Sequence, residues 1–280
     1  LERALEMFEY KKFLALRPKS HLFEGKFIGI GIAVVTELTG QGATRYKARG
    51  LSDIPGYDSA HIKLQPNGCI LAHTSFASQG QGHETIFAQI IADELGLPLS
   101  DITVRGGDTE TSPFGTGTFA SRGTVLAGGA VIRASGTLRE KIKEIAAHLL
   151  EASPADILLN DGEAYVQGVS EMCVSFADIA RAAYALTPKI QIPEGANFGL
   201  ECIETYDPPG SSIANACHIA CVAVDQMTGL VKVERYIVVH DCGRIVNPVL
   251  VKGQIQGGVA QGLGQTLFEE VLYAEDGQLL

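Results

Sequence analysis

The chain has no tryptophan, no Cys-x-x-Cys pair, no block of basic residues and no apolar run near the roughly 20 residues that span a bilayer. Without paired cysteines, we do not expect an iron–sulfur cluster or a zinc ribbon within the chain. The net charge of -10 argues against a nucleic-acid-binding surface. We therefore expect no nucleic-acid partner and no membrane span.

Cysteine usage and length set the broad class. The six cysteines are scattered in mostly apolar surroundings, which predicts reduced thiols in a cytoplasmic protein. At 280 residues the chain suits one large domain or two packed ones, and a weak boundary near 187–197 predicts a division into 1–190 and 191–280. The chain begins inside a helix-like stretch without Met and ends in an apparent hairpin, so we expect a truncated or split subunit.

The most informative segment is Ser78-Gln79-Gly80-Gln81-Gly82-His83-Glu84, which lies between a strand-like and a helix-like stretch. Its glycines allow close backbone approach, and the first amides of the helix form an anion site. No Gly-Lys-Ser/Thr follows, and Thr85 stands where a Rossmann fingerprint has its third glycine. The segment predicts a site for a large polar cofactor other than ATP or NAD, with a plain strand-to-helix turn as the alternative.

A second loop, residues 112–124, also ends at a predicted helix start. Gly115-x-Gly117-x-x-Ala120 formally matches a dinucleotide pattern, but the loop is too far from the preceding strand, and Glu140 lies inside a helix. Ser121, Arg122 and Thr124 still suit phosphate or carboxylate binding. The alternative is a capping hydroxyl beside a solvated arginine.

A third segment, Gln254 to Gln265, is a glycine-rich helix. Each interior glycine weakens a helix by roughly 1 kcal/mol relative to alanine, so several together indicate close packing against a bound ring or a second backbone. Both interpretations remain open.

Cysteine chemistry is a weaker signal. His240-Asp241-Cys242 has the residue types of a cysteine-nucleophile site, but adjacent residues alternate faces on a strand, so a buried Cys and a turn-forming Asp are favoured. Cys217 and Cys221 share one strand face and predict core packing. Two other functions stay open: a non-catalytic nucleotide-binding or assembly module, and a cysteine-dependent hydrolase.

Periodicity predicts an α+β fold with mixed β-sheets and packed helices. Helices are expected at 2–16, 83–95, 124–150, 175–186 and 250–269, a hairpin over 58–77, and strands at 26–38, 102–104, 163–167, 199–206, 213–225 and 231–240.

Taken together, these segments resemble the molybdenum-binding subunit of the xanthine dehydrogenase/aldehyde oxidoreductase family, which includes the large subunit of aerobic carbon monoxide dehydrogenase. The matching stretches are SQGQGHETIFAQIIADELG (78–96), GDTETSPFGTGTFASRGTVLAGGAV (107–131), YDPPG (206–210), VVHDCGRIVNP (238–248) and GQIQGGVAQGLGQTLFEE (253–270). The resemblance implies a molybdopterin-binding domain that takes part in oxidative hydroxylation of an aldehyde, N-heterocycle or CO-like substrate with water.

The resemblance also implies site residues. The cofactor would be molybdopterin cytosine dinucleotide, with molybdenum held through the pterin and not by side chains. Its expected contacts are Gln79, Gly80, Gln81, Gly82 and His83 near the metal, Thr118, Ser121, Arg122 and Thr124 at the phosphates, and Gln254, Gly257 and Gly258 along the pterin. Ala120 and Gly123 replace a Gly and a Ser of some relatives, which leaves the substrate subtype open.

No catalytic residue is expected here, because the glutamate base of the family lies beyond the position of Leu280. The implied partners are an iron–sulfur subunit and an FAD subunit in a dimer of heteromers, with a small-molecule substrate. The chain alone is expected to be inactive.

Overall fold

The structure, a computed structural model, describes residues 1–16, 22–23, 25–54, 56–185 and 199–280. Its helices are α1 (Glu2–Phe8), α2 (Tyr10–Leu16), α3 (Ala43–Ala48), α4 (His83–Leu95), α5 (Gly123–Leu149), α6 (Phe176–Ala185) and α7 (Pro248–Leu267). Its strands are β1 (Leu22–Phe23), β2 (Lys26–Thr39), β3 (Asp58–Leu64), β4 (Ile70–Thr74), β5 (Ile102–Gly106), β6 (Ile157–Asn160), β7 (Glu163–Val166), β8 (Val169–Ser175), β9 (Glu201–Tyr206), β10 (Ser212–Asp225) and β11 (Val231–Asp241).

The predicted α+β class is confirmed: the strands of the described residues form sheets in the orders β1-β2-β10-β11, β5-β4-β3-β9 and β6-β7-β8. The chain forms two compact units: a central unit, residues 38–212, and a terminal unit, residues 1–37 with 213–280. The predicted boundary at 187–197 lies outside the described residues, so the division at residue 190 stays a prediction. Among the described helices, none combines the length and the apolar character that crossing a membrane requires.

The central unit is organised around the sheet β5-β4-β3-β9. β3 and β4 form the predicted antiparallel hairpin, whereas β4 and β5 are parallel. A parallel pair needs a crossover connection, and α4 supplies it. α4 packs on α5 and β5, and α5 lies on β3 and β9. Ile62 of β3, Phe87 of α4 and Leu138 of α5 are all fully buried, so apolar side chains fix both helices to the sheet.

The terminal unit has its own core beneath β10 and β11. Cys217, Ile219 and Cys221 point to one face of β10 and are buried with Ala4 and Phe8 of α1, which confirms core packing for both cysteines. The single helix predicted over 2–16 is wrong. Glu9 has φ 60° and separates α1 from α2, because its N–H closes the end of α1 on the Glu6 carbonyl at 2.9 Å.

Candidate functional site

The segment between β4 and α4 is shaped by glycine. Gly80 and Gly82 have φ of 98° and 80°, a left-handed conformation that costs other residues steric strain. The Gln81 side chain accepts the Gln79 N–H at 2.6 Å, so one of the two predicted glutamine ligands supports the loop itself. The Gln79 side chain is left exposed.

His83, the first residue of α4, is buried. Its ring stacks on Phe87 at 5.3 Å and meets Phe76 edge-on at 5.6 Å between centroids. Burial lowers the pKa of His83, although the Glu84 carboxylate and the Ala77 carbonyl act in the opposite direction. The neutral imidazole therefore fits this position, and its Nδ1 atom has no hydrogen-bond partner among the described residues.

The second predicted loop, residues 112–124, lies beside the first. The Thr118 hydroxyl donates to the Ala77 carbonyl at 2.6 Å and ties the two loops together. Ala120 and Ser121 both have positive φ, at 47° and 54°. Two consecutive left-handed residues other than glycine cost about 1–2 kcal/mol each. Such strain needs strong local anchors.

The anchor is a buried ion pair between Arg122 and Asp58 at the start of β3. An Arg122 Nη atom lies 2.6 Å from an Asp58 carboxylate oxygen, and both side chains are completely buried. The other Asp58 oxygen accepts the amides of Thr116 at 2.8 Å and Gly117 at 3.2 Å, and the Ser75 hydroxyl at 2.9 Å. Burial has the largest effect and raises the pKa of Asp58 above its ordinary value, although Arg122 and these hydrogen bonds act to lower it. Arg122 therefore has an internal partner.

The starts of α4 and α5 lie side by side. A Cβ built on Gly123, the first residue of α5, would fall 2.5 Å from Nε2 of His83. Neither helix has a side-chain cap bond from its N-cap residue. The first three amides of each helix lack intrahelical acceptors, and the two positive dipole ends reinforce each other. Two helix starts with exposed Thr85 and Thr124 can together bind an anion or a polar heterocycle.

Two of the three predicted segments are thus brought together within the central unit. Gln254, Gly257 and Gly258 lie on α7 in the terminal unit. The N-cap residue of α7 is Asn247, whose side chain accepts the Leu250 amide at 3.0 Å. Among described atoms of that unit, none lies within 4 Å of a Cβ built on Gly257 or Gly258. Helix packing inside the unit does not explain these glycines.

Sequence reasoning missed Asp58 and Ser75, which hold the second loop. The available signal was weak: Asp is depleted in strands, yet Asp58 opens a strand whose other residues alternate apolar and polar. The expectation that Cys242 is buried is wrong, because this thiol is exposed. Asp241 does form the predicted turn, accepting the Gly243 amide at 3.0 Å.

The fold and these paired helix starts define a mixed α+β domain suited to an anionic, heterocyclic ligand. The family described as molybdopterin cofactor-binding domain matches residues 3–280. The chain belongs to this family, and the predicted resemblance is confirmed.

Individual relatives agree. The large subunit of nicotine 6-hydroxylase from Paenarthrobacter nicotinovorans is 41% identical over 98% of this chain and 33% of its own length. The carbon monoxide dehydrogenase large chain of Afipia carboxidovorans is 36% identical over 91% of this chain and 31% of its own. The crystal structure of quinoline 2-oxidoreductase from Pseudomonas putida 86 matches with a TM-score of 0.89 and 40% identity, covering 100% of this chain and 35% of that one.

This chain therefore spans about a third of the length of the relatives it matches. These relatives are oxidoreductases by name, and neither an assembly module nor a cysteine-dependent hydrolase is supported by them.

Proposed function

We propose that the chain is the part of a molybdenum hydroxylase subunit that holds molybdopterin in its cytosine dinucleotide form. The whole protein would hydroxylate a substrate carbon with oxygen taken from water. The observation that carries the proposal is the family match across residues 3–280. Two relatives near 40% identity are named for the N-heterocycles nicotine and quinoline, so we favour an N-heterocycle over an aldehyde or CO.

The residues of the central unit fit such a group. The adjoining helix starts supply amides for the phosphates, and Gly80 leaves open space, since no described atom lies within 4 Å of a Cβ built there. The exposed Gln79 amide and Thr124 hydroxyl are neutral donors for ring or phosphate oxygens. Thr118, Ser121 and Gly82 set the backbone conformation of the two loops that would contact the cofactor. His83 and Arg122 are buried beneath these loops and would support them. Gln254, Gly257 and Gly258 would line the pterin.

The bound cofactor supplies the redox chemistry of the reaction. The residues of this chain bind and orient it, and we assign none of them as the proton acceptor. Because molybdenum is held through the pterin, the proposal requires no side-chain metal ligand.

Partner subunits follow from the class. Relatives are named as a large subunit or large chain, which implies multi-subunit assemblies. We propose an iron–sulfur subunit and an FAD subunit as electron acceptors, a dimer of heteromers, and a cytoplasmic location.

The test uses the assembled complex that contains this chain. Metal analysis and nucleotide chromatography should find one molybdenum and one cytidine nucleotide per copy of the chain. Thr124→Val should lower both together. Thr137→Val is the control: it removes a hydroxyl from the same helix, about 20 Å from its start. That hydroxyl is half-buried and donates to Glu204 at 2.9 Å, so both contents should stay unchanged even if stability falls.

Absence of molybdenum from the intact complex would refute the cofactor assignment. Molybdenum without cytidine would refute only the dinucleotide form. The isolated chain should show no turnover. N-heterocycle oxidation by the chain alone would contradict the proposal that this chain binds the cofactor but does not supply the proton acceptor.

A further inference from the structure

We propose that Asp58 is a positioning residue of the cofactor-phosphate site and that it acts through Arg122, whose charge is used inside the protein and not at the ligand. This inference rests on the proposed function. It assigns a role to a residue that lies 64 positions before its partner, at the start of β3 and at the end of the sheet where β4 leads into the first loop.

The surroundings of Arg122 leave its guanidinium little freedom. One nitrogen contacts the Asp58 carboxylate at 2.6 Å, and another donates to the Gly117 carbonyl at 2.9 Å. The rings of Phe76 and Phe119 lie 5.5 and 4.8 Å from the guanidinium carbon. The side chain is 0% exposed, so a ligand on the surface does not meet this charge directly.

Asp58 holds both ends of the turn. One carboxylate oxygen accepts the amides of Thr116 and Gly117, before the turn, and the other meets Arg122, after it. Gly115 is needed for this approach, because a Cβ there would lie 2.3 Å from the carboxylate. The left-handed residues Ala120 and Ser121 lie between these fixed points.

The consequence for binding is electrostatic. The Asp58–Arg122 pair is neutral as a unit, so the helix-start amides and hydroxyls are left to stabilise the phosphate charge. The pair fixes the first turn of α5, and this turn presents the amides. Loss of Asp58 should therefore weaken cofactor binding although Asp58 itself carries a charge of the same sign as the ligand.

The test compares Asp58→Asn, Arg122→Gln and the double variant in the assembled complex. The double variant keeps an acceptor for the Thr116 and Gly117 amides and replaces the ion pair by an amide pair. Molybdenum and cytidine contents are measured over time during dialysis. Hydrogen exchange of the Leu126 amide, which donates to the Arg122 carbonyl at 2.9 Å and does not face the ligand, reports the order of the first turn independently of activity.

We expect each single variant to lose cofactor about tenfold faster than wild type, as when a supporting residue behind a ligand is removed. The double variant should retain most of the wild-type cofactor content and amide protection. Direct contact between Arg122 and phosphate predicts otherwise: Asp58→Asn would keep its cofactor, and the double variant would be as depleted as Arg122→Gln. Either result overturns the inference.

Should the single variants prove too unstable to purify, the double variant decides alone. Near wild-type cofactor content supports positioning, and loss of the cofactor overturns it.

Discussion

Gly123, the first residue of α5, lies directly against the imidazole of His83, the first residue of α4. The two helix starts touch because Gly123 has no side chain: a Cβ there would fall 2.5 Å from Nε2. The ring cannot easily move aside, since Phe76 and Phe87 pack against it. This contact sets the spacing of the two amide-presenting ends.

Gly123→Ala should therefore destabilise the protein. Overpacking of this kind costs about 1–3 kcal/mol. Urea unfolding should show a lower free energy of unfolding. The matched control is Gly136→Ala in the same helix, where no described atom lies within 4 Å of the added Cβ. The control should stabilise by up to about 1 kcal/mol. Equal responses of the two variants would contradict the contact.

The protonation of His83 gives a second prediction. Burial lowers the pKa of His83 below its ordinary 6.5, so the folded state binds fewer protons than the unfolded state in this range. The contribution of His83 to the free energy of unfolding should be fully present above about pH 6.5 and should be lost as the pH falls toward the lowered pKa. His73 shifts in the same direction, through burial and the charges of His61 and Arg105.

His83→Gln should accordingly make the free energy of unfolding less dependent on pH in the acid range. The part of this pH dependence that comes from His73 should remain. Denaturant unfolding across a pH series measures the slope. A variant with the same acid slope as wild type would show that His83 does not resist protonation in the folded protein.

Local patterns predicted the elements that carry the site. The spacing of apolar residues predicted the correct bounds of α4, His83–Leu95. Gly96 caps this helix, and its N–H donates to the Ala92 carbonyl at 2.8 Å. α5 begins one residue before its predicted start and ends one residue earlier than predicted. In these segments the helical period, the glycine cap and the burial pattern agree, so local information was sufficient.

The parts that were missed depend on distant or unusual contacts. The role of Asp58 could not be predicted, because its partners lie at 116, 117 and 122 and only the fold brings them near. Arg122 is a residue type that often binds phosphate, and no local pattern in the sequence reveals that its charge is paired with the buried Asp58. Glu9 breaks a helix through a left-handed conformation that its residue type does not signal.

The cysteines provide a third prediction. Burial raises the pKa of Cys202 to about 11, and its thiol donates to the Ala134 carbonyl at 3.0 Å. At about pH 8 such a thiol is on the order of a thousandth ionised, whereas an ordinary thiol is about a quarter ionised. Native protein treated with iodoacetamide should therefore react first at the exposed Cys173 and Cys242.

Peptide mapping by mass spectrometry measures the order of reaction. In denaturant all six cysteines should react at similar rates, which is the internal control. Labelling of Cys202 in the native protein as fast as Cys173 would contradict its partial burial and its hydrogen bond.

The glycines of α7 allow stability and cofactor binding to be separated. Nothing described in the terminal unit lies within 4 Å of a Cβ at Gly257, Gly258 or Gly262, so alanine at each should stabilise the helix by about 1 kcal/mol. If Gly257 and Gly258 line the pterin, their alanine variants should lose molybdenum, although the midpoint of their unfolding should move to a higher urea concentration. Gly262→Ala, outside the proposed site, should gain stability and keep its molybdenum. A gain in stability with unchanged molybdenum in all three variants would mean that the glycines serve some contact other than the cofactor, because a methyl group against a bound ring cannot be neutral.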